Sequence, residues 1–214
     1  MADYSEWDSQ VFGYRIGTHR YIDLPRSIGA TKNLDVVFAR GPYRGQLPDP
    51  RSTVFEVQVD LRYDARSQAS EAEAALPLAS NTNLPDVLRI AEATLTGHRW
   101  GRDPKLAPRA SNFYRKWLTT AHEREQVHVI PGHGCRGFIV IERSAGEHRL
   151  SLIAIDPAFQ HRGYGKHLVK FFLSQRATAH RVKTWIDNVA ALNLYCQSGF
   201  LVESVECVEH VWLQ

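Results

Sequence analysis

The chain predicts a mixed α/β fold, and three observations carry that expectation. Short runs rich in β-branched residues alternate with segments whose apolar residues recur at helical spacing, and no tandem repeat or low-complexity tract interrupts them. At 214 residues and 43% hydrophobic composition, the chain is long enough to bury a core without a disulfide or a structural metal. A stretch of small and charged residues at 64–75, DARSQASEAEAA, reads as a linker. The expected division is therefore an N-terminal α/β extension at 1–63, the linker at 64–75, and a main domain at 76–214.

In the N-terminal part, LDVVFAR at 34–40 reads as a strand. So does TVFEVQVDL at 53–61, where Phe55, Val57, Val59 and Leu61 alternate with Val54, Glu56, Gln58 and Asp60. That alternation places Glu56 on the polar phase of a half-buried strand. After the linker, LPLAS at 76–80 reads as a strand. A helix follows, capped by Asn83, with Pro85 and Asp86 in its first turn and an apolar stripe of Leu84, Leu88, Ala91 and Leu95. Beyond a Gly/Pro-rich loop, a second helix spans 110–123 with Phe113, Trp117 and Leu118 inward. Residues 128–130 and 137–143 read as a hairpin around PGHG, and 149–156 as a further strand. A helix is expected at 163–177, with Tyr164, Leu168, Phe171 and Phe172 on one face. A strand at 182–187, a short helix at 190–199 ending on Gly199, and two strands at 200–206 and 209–214 complete the chain.

Charge and composition exclude several classes. Basic and acidic residues number 26 and 23, a balance too even for a nucleic-acid-binding or membrane-surface protein. Only six of the basic residues are lysine, and arginine forks suit a small anionic ligand. No apolar run approaches the roughly 20 residues of a membrane helix, and MADYSEWDSQ has no signal-peptide pattern. Three cysteines, Cys135, Cys196 and Cys207, form no even framework and no CxxC pair. These features together predict a cytoplasmic protein.

The strongest local pattern is RLSLIAIDPAFQHRGYGKHLVKFF. An apolar strand ends at Asp156-Pro157, and a loop with Gly163 and Gly165 opens directly into an amphipathic helix. Free N–H groups at a helix start, glycines that let backbone approach a ligand, and Arg162 together suit a pyrophosphate. About 25 residues on, WIDNVAALNLYCQSGF places Asn188 at a strand end, Ala191, Leu194 and Tyr195 on a helix, and Gly199-Phe200 at the entry to a strand.

At these residues the sequence resembles the GCN5-related N-acetyltransferase (GNAT) superfamily. The QxxGxG motif is matched by Gln160, Gly163 and Gly165. The NxxAxxLYxxxGF signature is matched by Asn188, Ala191, Leu194, Tyr195, Gly199 and Phe200. The resemblance covers roughly 76–214. It implies a mixed, mostly antiparallel central sheet flanked by helices, and acetyl transfer from acetyl-CoA to an amine by direct attack. It also implies that the pyrophosphate lies on the loop of Gln160, His161, Arg162, Gly163, Tyr164, Gly165 and Lys166. The pantetheine would pair with the backbone of Leu152, Ile153, Ala154 and Ile155 like an added strand, near Asn188 and Leu194. Tyr195 matches the usual general acid, whose hydroxyl protonates the leaving thiolate.

The N-terminal layout WDSQVFGYRIG, VFAR, FEVQVDL is similar to the dTDP-fucosamine acetyltransferases, which acetylate the amine of a dTDP-linked 4-amino-4,6-dideoxygalactose. HRWGRDPKLAPRASNFYRKWL resembles that group's RFxxDPxxxxxxAxxxYxxWI pattern through Arg99, Trp100, Asp103, Pro104, Ala110, Tyr114 and Trp117; Trp100 stands where that pattern has Phe. The resemblance implies a nucleotide-sugar substrate at Arg99, Trp100, Asp103 and Tyr114. From the residues alone, Arg99, Arg102 and Lys105 can pair a diphosphate, and Trp7, Phe12, Trp100, Phe113 and Tyr114 can stack on a base or sugar. Glu56 is the leading candidate base and His148 the second. His128, His133 and Cys135 flank a turn but lack a fourth ligand, so no metal is expected. Three readings of function stay open: acetylation of a nucleotide-linked amino sugar, acetylation of another small amine or a protein N-terminus, and a non-catalytic acyl-CoA-binding module. Pairing of the C-terminal strands across subunits predicts a homodimer.

Overall fold

The computed structural model describes residues 3–20, 33–45, 48–64, 75–95, 99–132 and 134–213. Most of the linker and His133 lie outside these. The elements in order are β1 (Asp3–Tyr4), α1 (Glu6–Phe12), β2 (Ile16–Arg20), β3 (Val36–Pro42), β4 (Ser52–Asp64), α2 (Leu84–Thr94), α3 (Arg99–Arg102), α4 (Ala107–Glu123), β5 (Val127–Gly132), β6 (Gly134–Ser144), β7 (Glu147–Ile155), a 3₁₀ turn (Pro157–Phe159), α5 (Tyr164–Ser174), β8 (Ala179–Trp185), α6 (Val189–Gln197) and β9 (Leu201–Trp212). They form two compact units that interleave in sequence. Residues 1–59, 97–113 and 204–214 make the first, and 60–96 with 114–203 the second. The sequential division at 64–75 differs from this, because the segment around α3 and the last strand pack with the N-terminal part.

In the first unit the strands lie in the order β1-β2-β3-β9-β4. β1 runs antiparallel to β2, β2 parallel to β3, and β3 antiparallel to β9 with Phe38 opposite His210. Val37, Ala39 and Val211 pack on one face with Leu34 and Leu213. On the other side, Trp100 is the centre of an aromatic cluster, its ring 5.0 Å from Phe12, 4.9 Å from Phe113, 5.2 Å from Phe38 and 5.3 Å from His210.

In the second unit the order is β4-β8-β7-β6-β5. β5, β6 and β7 form an antiparallel meander, and β7 pairs parallel with β8. The apolar faces of α2 and α5 supply Val87, Ile90, Leu168, Val169 and Phe172 to the core, each essentially inaccessible to water. Across both units the pairings are mixed and mostly antiparallel, flanked by helices, as the sequence predicts.

Several elements differ from expectation. LPLAS is a single bridge, Leu78 to His128, rather than a strand. The two closing strands are one, β9, because no turn residue interrupts 201–212. α1 and α3 were not read from the sequence as helices, each being seven residues or shorter. β4 corrects the assigned phase. Val54, Glu56 and Gln58 are buried while Phe55 and Val57 are only half-buried, and the phase reverses at 58–59 so that Val59, Leu61 and Tyr63 point inward. A strand inside a sheet can be covered on both faces, and polarity then no longer reports which phase faces water.

Candidate active site

The motif-bearing residues meet in the second unit, and the local sequence explains how. β7 pairs with β8 only through Glu147, His148, Arg149 and Leu150, opposite Ala179, His180, Arg181 and Val182. The β6–β7 register then shifts: Val140 faces Leu152 and Ile141 faces Leu150, leaving Ser151 as an extra residue. Such a bulge bends a strand. From Ser151 to Ile155, β7 pairs with β6 alone, so its other edge presents N–H and C=O groups with no strand partner among the described residues, the Ile155 carbonyl accepting only from Gln160 Nε2 at 3.2 Å. An open edge of this kind accepts an extended, amide-bearing chain as an added strand.

Gly137 holds the β6 side of this opening. A Cβ there would lie 2.6 Å from Ile155 Cδ1 and 2.9 Å from the Ala154 carbonyl oxygen, so any side chain forces β6 and β7 apart. Gly137→Ala is therefore expected to cost about 1–3 kcal/mol, read as a lowered urea midpoint with an unchanged slope.

The open edge leads into the glycine loop. Asp156 starts it, with its carboxylate accepting from the Ala158 N–H at 2.9 Å and from Arg89 Nη2 at 2.7 Å. That backbone N–H, and then Arg89, hold the Asp156 carboxyl below the usual range. His161 (φ 59) and Gly163 (φ 83) are left-handed, which turns the backbone sharply into α5. The His167 N–H to Gly163 carbonyl bond, 3.0 Å, is the first of the helix. The N–H groups of Gly163, Tyr164, Gly165 and Lys166 therefore lack intrahelical partners, and Gln160, His161, Arg162 and Lys166 are exposed around them. Arg162 and Arg136 each lie 5.5 Å from the Phe159 ring, and Arg136 Nη1 donates to Tyr164 Oη at 2.9 Å. Aligned N–H donors, a helix dipole and nearby guanidinium groups together suit a pyrophosphate. Arg136 escaped the sequence reading: it belongs to no motif, and only its place on β6, where its carbonyl accepts the Asp156 N–H, brings it here.

The second motif packs against the first. A Cβ on Gly165 would meet Leu194 Cδ2 at 3.4 Å, so α5 and α6 approach at these two motif residues. Asn188 caps α6, its Oδ1 accepting from the Ala191 N–H at 3.2 Å, which leaves its amide NH₂ as a donor. Gly199, at φ 91, ends the helix, and a Cβ there would press on the Tyr63 ring at 3.2 Å. Tyr195 is 3% exposed and edge-on to Phe200 at 5.8 Å. Burial alone pushes its hydroxyl well above the ordinary tyrosine value, so it carries its proton at neutral pH.

The residues expected to meet the acceptor are placed differently. Trp100 is 5% exposed inside the aromatic cluster, and its faces are occupied by protein rings, so it is corrected from a stacking platform to a core residue. Asp103 is fully buried: it accepts from Thr53 Oγ1 at 2.8 Å and the Lys105 N–H at 3.0 Å, and bonds His210 Nδ1 at 2.8 Å and Trp212 Nε1 at 3.2 Å. It organises the first unit's interior rather than facing solvent. Tyr114 is buried at 7%. Arg99 lies 4.0 Å over the Trp100 ring, and Lys105 Nζ lies 4.2 Å over Trp212. Glu56, expected on the exposed phase, is 4% exposed with Arg102 Nη1 3.8 Å from its Oε1. His148 is buried in the second unit, 5.8 Å from His180. Among the described residues no three His, Cys, Asp or Glu side chains group as metal ligands, and no helix is long and apolar enough to cross a membrane.

The buried Asp103–His210 pair makes stability pH-dependent. Burial pulls the His210 pKa down to about 4 from 6.5. The unfolded chain therefore binds this proton more tightly than the native one, and stability falls as pH drops from about 6.5 towards 4. Burial opposes ionisation of Asp103, but hydrogen bonds from His210 and Thr53 outweigh it and hold the carboxyl below 3.8, a contribution present above that pH and lost beneath it. His148 and His180, depressed chiefly by burial, add to the first slope with the same sign. Thermal denaturation between pH 7.5 and 4.5 should show it, and His210→Gln should flatten it; an unchanged slope would refute the assignment.

Comparison with known proteins agrees with this geometry. The model of the acetyltransferase (GNAT) domain matches residues 121–202, which hold the open edge of β7, the glycine loop and Tyr195. The dTDP-fucosamine acetyltransferase of Escherichia coli O6:H1 is 30% identical over 71% of this chain and 68% of its own length. The spore coat polysaccharide biosynthesis protein SpsD of Bacillus subtilis is 27% identical over 59% of this chain and 46% of its own. Among solved structures, the PaiA N-acetyltransferase of Thermoplasma acidophilum, in complex with coenzyme A, superposes with a TM-score of 0.52 at 16% identity, covering 63% of this chain and 96% of that one. Fold, motif geometry and these relatives agree, and the chain belongs to the GNAT family of acetyltransferases.

Proposed function

We propose that this enzyme moves the acetyl group of acetyl-CoA onto the amine of a nucleotide-linked, dTDP-linked amino-deoxy sugar by direct attack. The observation that carries the first half is the unpaired edge of β7 leading into the glycine loop, with Tyr195 on the helix that packs against Gly165. The acceptor is supported by the likeness to the dTDP-fucosamine acetyltransferase. The residues fit the group: Leu152, Ile153, Ala154 and Ile155 offer backbone to the pantetheine amides. Gln160, His161, Arg162, Gly163, Tyr164, Gly165 and Lys166 offer donors to the pyrophosphate, and Asn188 and Leu194 line the approach.

When bound, acetyl-CoA supplies an activated acetyl thioester. Tyr195 holds a proton for the departing sulfur, and Glu56 takes the proton that the sugar ammonium must lose, directly or through water. A C–N bond forms, the C–S bond breaks, and amide, free thiol and one proton leave. Arg99 and Arg102 are the basic groups we assign to the diphosphate, with residues 1–63 as the substrate-side part. The active form is taken as a cytoplasmic homodimer, testable by light scattering at micromolar concentration.

The test is thiol release from acetyl-CoA over a panel of dTDP-linked amino sugars, alongside aminoglycosides and peptides with free N-termini. Release with a dTDP-amino sugar at a kcat/KM at least about a hundredfold above the other amines is the expected result. A peptide or aminoglycoside turned over best would replace the acceptor. Binding of CoA with no turnover of any amine would remove the catalytic assignment.

A further inference from the structure

The second unit carries a groove of about 490 Å³ that the acetyl-transfer residues do not use. It arises from an overhang. Glu125, at φ 55, turns the chain from α4 into β5, and β5 begins to pair with β6 at Val127 opposite Val140. The Ile141 N–H donates to the Gln126 carbonyl at 2.9 Å, and β6 then continues to Ser144 with no β5 residue opposite Glu142, Arg143 and Ser144. One wall is therefore the bare outer end of β6. The other is α4, which lines the groove with Trp117, Thr120, Ala121 and, just past its end, Arg124, at the i, i+3, i+4, i+7 spacing of one helical face.

The charges lining it do not balance. Arg124 and Arg149 make no side-chain ion pair or hydrogen bond among the described residues. Arg143 Nη2 meets His128 Nε2 at 2.7 Å, but burial, and then Arg143 itself, hold that imidazole below its ordinary pKa, so it offers no negative charge. Of the two carboxylates, Glu147 is engaged by Arg181 at 2.7 Å. Glu142 stands opposite Arg149 in the β6–β7 register. With Arg143 turned to His128 on the other face of the sheet, one uncommitted carboxylate thus faces the guanidinium groups of Arg124 and Arg149, beside a half-buried indole.

We propose that this groove is a second ligand site, which takes a small anion carrying a flat ring, of the aryl phosphate class. The forked donors of Arg124 and Arg149 suit phosphate oxygens, and Trp117 offers a ring face or edge for the planar part. The site is distinct from the acetyl-CoA residues. In the β6–β7 hairpin the groove lies at the Ser144–Glu147 turn, whereas the glycine loop follows Ile155 at the opposite end, roughly 20 Å from Arg149 at about 3.3 Å per residue; the open β7 edge begins at Ser151, just beyond Arg149, but shares no residue with the groove.

Phenyl phosphate is a suitable probe, since it resembles neither CoA nor a nucleotide sugar. Titrated by calorimetry onto the full chain saturated with CoA, it should bind at one site, about tenfold tighter than inorganic phosphate, the equivalent of about 1.4 kcal/mol. Replacing both arginines (Arg124→Ser with Arg149→Ser) should weaken it at least about tenfold with no change in Tm, because both side chains are exposed and unpartnered. Arg124→Glu alone should do the same by repulsion. Trp117→Leu should abolish the preference over inorganic phosphate. The proposal is overturned if wild-type protein binds no phenyl phosphate, if CoA displaces it, or if the arginine variants bind it as well as wild type.

Discussion

Tyr195→Phe should lower kcat by roughly 10²–10⁴-fold while leaving the KM for acetyl-CoA nearly unchanged. The ring is 3% exposed, and its packing against Phe200 survives the substitution. The hydroxyl makes no hydrogen bond among the described residues, so its loss should cost less than about 1 kcal/mol of stability. Burial holds the phenol protonated at neutral pH, which is the state a proton donor needs, and the substitution removes that proton and nothing else. In the proposed binding mode most acetyl-CoA contacts come from the β7 edge and the glycine loop, which the variant keeps. Steady-state kinetics with a thiol-release readout, together with a melting curve, decides the matter. A stable variant within a few-fold of wild-type kcat would remove Tyr195 from the mechanism.

The largest stability effect is expected at Asp103. Its fully buried carboxylate joins Thr53 of β4, His210 and Trp212 of β9 and the nearby Lys105 N–H. In Asp103→Ala the His210 Nδ1 and the Lys105 N–H lose that partner, while the Trp212 Nε1–H keeps only Thr53 Oγ1 at 3.0 Å. Leaving such groups unpaired costs about 3–5 kcal/mol, and at 2–4 °C per kcal/mol for a chain of this size the Tm should drop by roughly 10 °C. Asp103→Asn keeps the shape and one acceptor oxygen, so it should recover part of the loss. A Tm within about 2 °C of wild type for Asp103→Ala would show that the network contributes little.

The resemblance implies a substrate contact for Asp103, but in the structure Asp103 and Trp100 are both enclosed and serve interior packing. An aspartate next to proline in a basic loop looks exposed; only β9 folding back, with His210 and Trp212, shows that it is enclosed. The exposure of Glu56 differs from expectation for a similar reason. Its alternation with apolar neighbours implied solvent, yet β4 has neighbours on both edges, and the burial phase reverses at 58–59. Arg136 left no trace in the sequence, since its relation to Tyr164 depends on the β6–β7 register.

What the sequence determined by itself was local and chemical. The strand–glycine loop–helix at 149–174 and the Asn188-to-Phe200 segment each encode their own geometry. Gly163 and Gly199 take left-handed backbone, Asn188 caps its helix, and apolar spacing selects the buried face, all through interactions within a few residues of one another. The tertiary structure alone decided which strands become neighbours and where they part. The release of β7 from β8 after Leu150, the groove beneath the β6 overhang and the burial of Asp103 all depend on contacts between residues distant in sequence. Those contacts are set by register and by whole-face packing, which local pattern does not specify.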